Sequence, residues 1–351
     1  MCSTTRLSTA RTSASCWTNW IFNLRSLKTP MPTETITVSE CAAFLRTRDN
    51  FLILTHLRPD GDTIGCAAAL CVALRDIGKT AHILRNAEVT PLFEPLVEDY
   101  YAPDGEYGTI VTVDMASELT MMLKGGDPYV GRVDLSIDHH PSNTGYAKRT
   151  LVDGSRAACG EIVLDVITAL NTALIPEIVT AIYVAVSTDT GCFSYNNTNA
   201  GSFRAAAICA EHGADVAELN RRLFREKTRG RLAIEGHVLS TIEFAHDGRA
   251  AFVVITNADI ERCGATEDDL NDIASLASGI KGVVVAATIR ELDGTESCKV
   301  SLRSKPEFDS NALAQRFGGG GHRAAAGFTR RVAAVQLRDE LYAAIGEALD
   351  A

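Results

Sequence analysis

Short apolar runs recur along this chain with helical stretches between them, and three of the runs end on acidic or imidazole side chains. Phe51–Thr55 leads into His56, Thr109–Val113 into Asp114, and Val133–Ile137 into Asp138-His139-His140. Short apolar runs bounded by turns read as buried strands, and helices between them call for a parallel sheet with right-handed crossovers. Ala81–Leu84 adds a strand. The helical stretches are Ile64–Ile77, stopped by Gly78, then Ala157–Leu170, then Pro176–Ser187 with proline in its first turn. In an open parallel sheet, ligands gather beyond the carboxyl ends of the strands. That is where His56, Asp60 and Asp62, then Asp114, then the 138–140 triplet are expected. Asp189 follows at the end of the Pro176 helix.

A second alternating region begins near Gly236. Ala250–Thr256, Gly282–Arg290 and Ser297–Arg303 read as strands and Glu267–Ser278 as a helix, with a glycine-rich turn at Gly318–Gly321 and a terminal helix after it. Residues 200–235 look helical and carry Arg221, Arg222 and Arg225 among glutamates, which suits an exposed connector. The reading is an α/β chain with a leader over 1–35, a catalytic domain over 36–199, a helical linker over 200–236 and a second domain over 237–351. A chain of 351 residues is long enough for two cores.

Composition narrows the function. The 44 acidic residues outnumber 34 basic ones, for a net charge of −10. A protein holding long duplex nucleic acid by charge would be basic, so a nucleic-acid substrate here is short or gripped locally. Ten cysteines include no CxxC pair, the closest being Cys66 and Cys71. That argues against a zinc ribbon and for small buried side chains in a reducing cytoplasm. No apolar run reaches the ~18 residues of a membrane span. Residues 1–30 carry Arg6, Arg11, Arg25 and Lys28 with many Ser and Thr and no acid. They resemble a mitochondrial transit peptide in composition, or else Met31 is the true start. Either way the expectation is an unstructured or artefactual leader.

Carboxylate and imidazole together, with no thiolate partner, suit Mn²⁺ or a similar divalent ion. Each cluster alone could be a polar turn or a cap. Four together are harder to explain so, because nearby aspartates repel unless cations neutralise them. In the second region, four successive glycines would let backbone amides approach a phosphate or base, and Arg303 could fork onto a phosphate. Tyr195 and Phe193, just past Asp189, could stack on a base or pack into the core.

Taken in order, the HxxPDGD segment at His56–Asp62, Asp114, the DHH triplet and Ser187-Thr-Asp-Thr-Gly191 resemble the DHH phosphoesterase superfamily. Phe317–His322, with Ala-Ala-Ala-Gly327 after it, is similar to the associated DHHA1 domain. Size and motif order are most similar to the subfamily of small cytoplasmic enzymes that degrade nanoRNA and dephosphorylate 3′-phosphoadenosine 5′-phosphate. One departure is Cys66, where a serine is usual.

The resemblance implies a parallel-sheet DHH domain and a smaller α/β DHHA1 domain joined by a helical connector. It implies two divalent metal ions, with Mn²⁺ the expected metal. His56 and Asp60 would hold one ion, Asp62, His139 and Asp189 the other, and Asp114 would bridge. Asp138 would stand behind the ligands and orient a ligand imidazole. His140 would face the phosphate or the attacking water. Arg303, Gly318, Gly319, Gly320, Gly321 and His322 would grip the substrate. The implied activity is hydrolysis of short single-stranded RNA to mononucleotides, of 3′-phosphoadenosine 5′-phosphate to AMP, or both. A linear or cyclic dinucleotide, pyrophosphate or polyphosphate remain alternative substrates. A nucleic-acid-binding module without catalysis and a metal-dependent regulatory protein are the alternatives from other classes. No membrane partner is expected, and assembly as a homodimer stays open.

Overall fold

The computed structural model describes residues 33–121, 128–292 and 296–350, so the expected leader lies outside the described residues apart from its last three. The chain divides into two compact units, the first ending at Arg225 and the second starting at Glu226.

The first unit is built on a six-stranded, fully parallel sheet. Its strands are β1 (Glu34–Thr35), β2 (Phe51–Leu54), β3 (Ala81–Ile83), β4 (Thr109–Val113), β5 (Leu135–Asp138) and β6 (Arg149–Val152). They lie in the order β1-β6-β5-β4-β2-β3. Both faces are covered, so the strands read as continuous apolar runs. In β2, Phe51 and Ile53 enter the large core under the helices. Leu52 and Leu54 enter a smaller cluster on the opposite face with Ile110 and Val133. Neither β1 nor β6 was expected from the sequence: β1 is two residues long and falls in the stretch read as an unstructured leader, and the Lys-Arg-Thr-Leu-Val stretch of β6 carries too few apolar residues to stand out.

Helix Gly61–Asp76 is buried along almost its whole length, packed beneath helix Pro176–Asp189 and beside helix Cys159–Ala169. Small residues such as Gly65, Cys66, Ala67 and Ala69 make that possible. Asp60 caps this helix, its Oδ1 accepting from the amides of Asp62 (3.0 Å) and Thr63 (3.2 Å).

The second unit holds a mixed sheet of β7 (Glu243–Ala245), β8 (Ala250–Ile255), β9 (Val285–Glu291), β10 (Cys298–Ser304), β11 (Gly320–His322) and β12 (Ala325–Arg330), in the order β11-β12-β10-β9-β8-β7. Only β8 and β9 pair in parallel. Ala250 and Phe252 face one core with helix Ala334–Leu349, while Ala251, Val253 and Ile255 face another with helix Arg229–Thr241.

Three further details differ from the sequence reading. The glycine run is half strand, since Gly320 and Gly321 belong to β11. Glu267–Ser278 is not one helix but a short 3-10 turn, Asp268–Leu270, and a single turn, Ser275–Ser278. The break falls at Asp272, whose φ is 55°, where Arg231 draws the Asp269 and Asn271 carbonyls into hydrogen bonds. Residues 200–236 are shared between the units. Helix Ala200–Glu211 gives Ala205 and Cys209 to the first core. Helix Arg229–Thr241 gives Ile234 and Val238 to a core of the second unit. Among the described residues, no helix is long and apolar enough to cross a membrane.

Candidate metal centre

The carboxyl ends of β2, β4 and β5 deliver His56, Asp114 and the 138–140 triplet to one place. Asp114 leaves β4 with φ at 55°, a left-handed conformation unusual for an aspartate, while its amide still bonds to the Ile137 carbonyl (2.9 Å). Asp62 arrives in the first turn of helix Gly61–Asp76 and Asp189 as the last residue of helix Pro176–Asp189.

His56, Asp60 and Asp114 form one group; Asp62, His139 and Asp189 form a second; Asp114, His139 and His140 form a third. His56 Nε2 stands 3.7 Å from Asp60 Oδ1 and 3.7 Å from Asp114 Oδ2. His139 Nε2 stands 3.5 Å from Asp114 Oδ1, 3.7 Å from Asp189 Oδ2 and 3.9 Å from Asp62 Oδ2. Asp114 therefore turns one oxygen toward each imidazole. These separations exceed hydrogen-bond length. Asp114 Oδ1 is buried and has no hydrogen-bond partner. A buried, unsatisfied carboxylate oxygen facing a ring nitrogen and other carboxylates fits a cation.

Both imidazoles are held from behind. His56 Nδ1 lies 2.8 Å from the Leu57 carbonyl and His139 Nδ1 lies 3.2 Å from the Arg156 carbonyl. A carbonyl can only accept, so each Nδ1 carries the proton and each Nε2 presents a lone pair to the cluster. Asp62 is held by the amides of Cys159 (2.7 Å) and Gly160 (2.9 Å) and by the Cys66 thiol (3.3 Å). Asp62 thus serves the start of helix Cys159–Ala169, whose own N-cap, Ala158, has no side chain to do so.

Electrostatics sharpen the need for a cation. Burial, with Asp189 and Asp60 nearby, pushes the Asp62 carboxyl well above its ordinary range. Burial, with Asp62 and Asp60, does the same to Asp114, and burial raises Asp189. Asp189 also sits at the negative end of its helix, where a carboxylate is disfavoured. Ionising all of these together requires positive charge among them.

His140 differs from the other two. Its Nδ1 donates to Asp138 Oδ1 (2.7 Å), and that bond, against the opposing effect of burial, pushes its pKa up to about 9. Asp138 is fully buried and also accepts from the His139 amide (2.8 Å) and from Asn143 Nδ2 (2.7 Å). Asp138 was expected to orient a ligand imidazole. It instead holds the ring of His140, because His139 turns its Nδ1 away to the Arg156 carbonyl.

In the second unit, Arg303 on β10 pairs with Ala325 on β12, and Ala325 pairs with His322 on β11. Paired residues share a face, so Arg303 and His322 flank Ala325 across a strand. The next row on that face, Ser301, Gly327 and Gly320, is nearly bare. The opposite face, with Leu302 and Ala326, is core. Of the expected glycines, Gly318 has φ of 79°. A Cβ on Gly319 would stand 2.3 Å from the Gly327 carbonyl oxygen, and one on Gly321 would stand 2.5 Å from that of Ala325. Those three have local structural reasons to be glycine. Gly320 is the open one, with only Asn311 Oδ1 at 3.8 Å.

Arg156, Cys159, Gly160 and Asn143 were not anticipated. They act through backbone groups or, in Asn143, through a side-chain amide, which ligand spacing does not mark. A helix beginning at Cys159 without a capping side chain was the one available hint.

Residues 50–186 match the model of the DHH family N-terminal domain and residues 250–350 that of the DHHA1 domain. The chain is 34% identical to the bifunctional oligoribonuclease and PAP phosphatase NrnA of Thermus thermophilus, over 79% of this chain and 83% of that one. It is 25% identical to the protein of the same name from Bacillus subtilis, over 80% and 88%. Its fold is similar to that of an exopolyphosphatase-related protein from Bacteroides fragilis, with a TM-score of 0.79 at 23% identity, covering 90% of this chain and 97% of that one.

Proposed function

Because the chain belongs to the DHH phosphoesterase family and carries a C-terminal DHHA1 domain, we propose that it hydrolyses short oligoribonucleotides to mononucleotides, 3′-phosphoadenosine 5′-phosphate to AMP, or both. The enzyme is a phosphoester hydrolase. The observation that carries the reading is Asp114, whose two oxygens address His56 and His139 separately. In this reading His56 and Asp60 would hold one divalent ion, Asp62, His139 and Asp189 would hold the other, and Asp114 would serve both. Mn²⁺ suits this carboxylate–imidazole set. Two such cations, when bound, lower the pKa of a water and stabilise charge on the phosphoester oxygens.

The chain's own residues do the rest. The Leu57 and Arg156 carbonyls fix the two ligand rings, and the Cys159 and Gly160 amides fix Asp62. His140, kept protonated by Asp138, offers a positive N–H to an anionic phosphate or to a leaving oxygen. No side chain need act as a nucleophile. Arg303 and His322, either side of Ala325, suit a nucleotide phosphate or base, with Gly320 giving access to backbone. A cytoplasmic setting fits the free cysteines, most of them buried.

A Mn²⁺-dependent product assay tests the proposal with a 5′-labelled RNA pentamer, pGpG, 3′-phosphoadenosine 5′-phosphate, cyclic di-AMP and pyrophosphate. Mononucleotides from the pentamer or AMP from the bisphosphate are expected. Turnover of pyrophosphate alone would replace this substrate assignment with a pyrophosphatase.

A further inference from the structure

The chain just past Asp189 makes an unusual turn. Gly191, Cys192 and Phe193 all have positive φ, at 54°, 53° and 61°. Two non-glycine residues in succession in that region cost energy, and such strain persists only where the surroundings fix it. Here they do. The Cys192 amide bonds to the Ser187 carbonyl (2.7 Å), the Phe193 amide to Thr190 Oγ1 (3.2 Å), and the Ser194 and Tyr195 amides to the Thr190 carbonyl (2.9 and 3.0 Å). Asn197 Nδ2 closes the turn onto the Asp189 carbonyl (3.0 Å).

The turn sorts its two aromatic rings. Phe193 goes inward, stacked on Phe203 at 5.3 Å and tilted against buried Tyr183 at 6.1 Å. Tyr195 goes outward. Its ring lies over Gly191, where an added Cβ would stand 2.4 Å from two of its carbons. Tyr195 is nonetheless 56% exposed. A large ring is thus seated on the backbone two residues from Asp189, with much of its surface open to water.

We infer that Tyr195 is a stacking shelf for a nucleobase of the nucleotide whose phosphate reaches the Asp189 cluster. The inference rests on the oligonucleotide reading above and extends it to a positioning residue. Three points favour a base over other occupants. The ring lies over Gly191, two residues along the chain from Asp189, so a base stacked on it can belong to the nucleotide whose phosphate reaches that cluster. Its backing is rigid, so stacking costs little ordering. A π-face accepts every base, which suits an enzyme reducing mixed short RNA to mononucleotides.

The test is a double-mutant cycle between ring and base. Wild-type, Tyr195→Phe and Tyr195→Ala enzymes are assayed with Mn²⁺ on a short RNA and on versions lacking one base beside a scissile bond. Removing either partner of a stacked pair is expected to raise KM about ten- to a hundredfold, with a smaller effect on kcat. Tyr195→Phe should resemble wild type, because the ring carries the contact. In Tyr195→Ala, one of the abasic substrates should cost nothing further. Losses that simply add at every abasic position, or an unchanged KM in Tyr195→Ala, would overturn the shelf while leaving the nuclease reading intact. A wild-type enzyme that leaves the intact RNA uncut removes that reading, and the shelf with it.

Discussion

Gly65 lies so close to Ala181 that a Cβ added to it would stand 2.3 Å from the Ala181 carbonyl oxygen. The two residues join helix Gly61–Asp76 to helix Pro176–Asp189, the helices that carry Asp62 and Asp189. Their spacing therefore sets both core packing and the separation of two carboxylates of the candidate metal centre.

Gly65→Ala should destabilise the protein by about 1–3 kcal/mol, the range for overpacking a tight core. Alanine's better helix propensity, worth up to about 1 kcal/mol, works the other way and is outweighed by a clash with backbone. Gly236→Ala is the contrast. It lies within helix Arg229–Thr241 with nothing within 4 Å of an added Cβ, so it should be neutral or stabilising. Thermal midpoints check both. If Gly65→Ala melts at or above the wild-type temperature, the close contact is not what limits this core.

Asp114→Asn should abolish turnover while leaving the fold intact, and it should lose more activity than Asp60→Asn. Asp114 is buried with one oxygen toward each imidazole, whereas the Asp60 side chain is largely exposed and already caps a helix. Circular dichroism, metal content and rate settle the comparison. Wild-type turnover in a folded Asp114→Asn protein would remove the two-metal model.

Much of this candidate site was legible because His56, Asp114 and His139 follow strands. An apolar run followed by His56, Asp114 or His139 already implies the carboxyl edge of a parallel sheet. The identity of the supporting groups was not legible. The amides of Cys159 and Gly160 and the carbonyl of Arg156 carry no side-chain signal, yet they fix Asp62 and His139. Asp138 was expected to orient a ligand imidazole and holds the ring of His140, since which imidazole it meets depends on ring rotation rather than on spacing. In the second unit the glycine run was legible as special but not for its commonest reason. Gly319 and Gly321 are demanded by neighbouring strands, a contact set by register.

Divalent metal should raise the melting temperature, and a chelator should lower it. Asp62, Asp114 and Asp189 are driven toward protonation chiefly by burial, so binding cations removes a cost that the folded state otherwise carries. Metal that binds only the folded state stabilises by about 2.7 kcal/mol at a hundred times its Kd. The Mn²⁺-induced rise should shrink in Asp114→Asn. An unchanged melting temperature across a Mn²⁺ titration would show that the cluster takes up no ion.

The row Arg303–Ala325–His322 separates binding from chemistry. Arg303 and His322 belong to the second unit and to none of the three candidate metal groups. If they hold a phosphate or base, the contact persists from bound substrate to transition state. Arg303→Ala should then raise KM more than it lowers kcat, by roughly ten- to a hundredfold for loss of a charge-assisted hydrogen bond. Ala325→Leu offers an independent variant, since a larger side chain on the floor between the two would obstruct the ligand without removing a charge. Both should spare metal content. Both should damage hydrolysis of an oligonucleotide or of 3′-phosphoadenosine 5′-phosphate far more than that of bis-p-nitrophenyl phosphate, which is too small to need a second foothold. Equal damage to the small ester would place these residues in the chemical step or in the fold, and the division of labour between the two units would have to be given up.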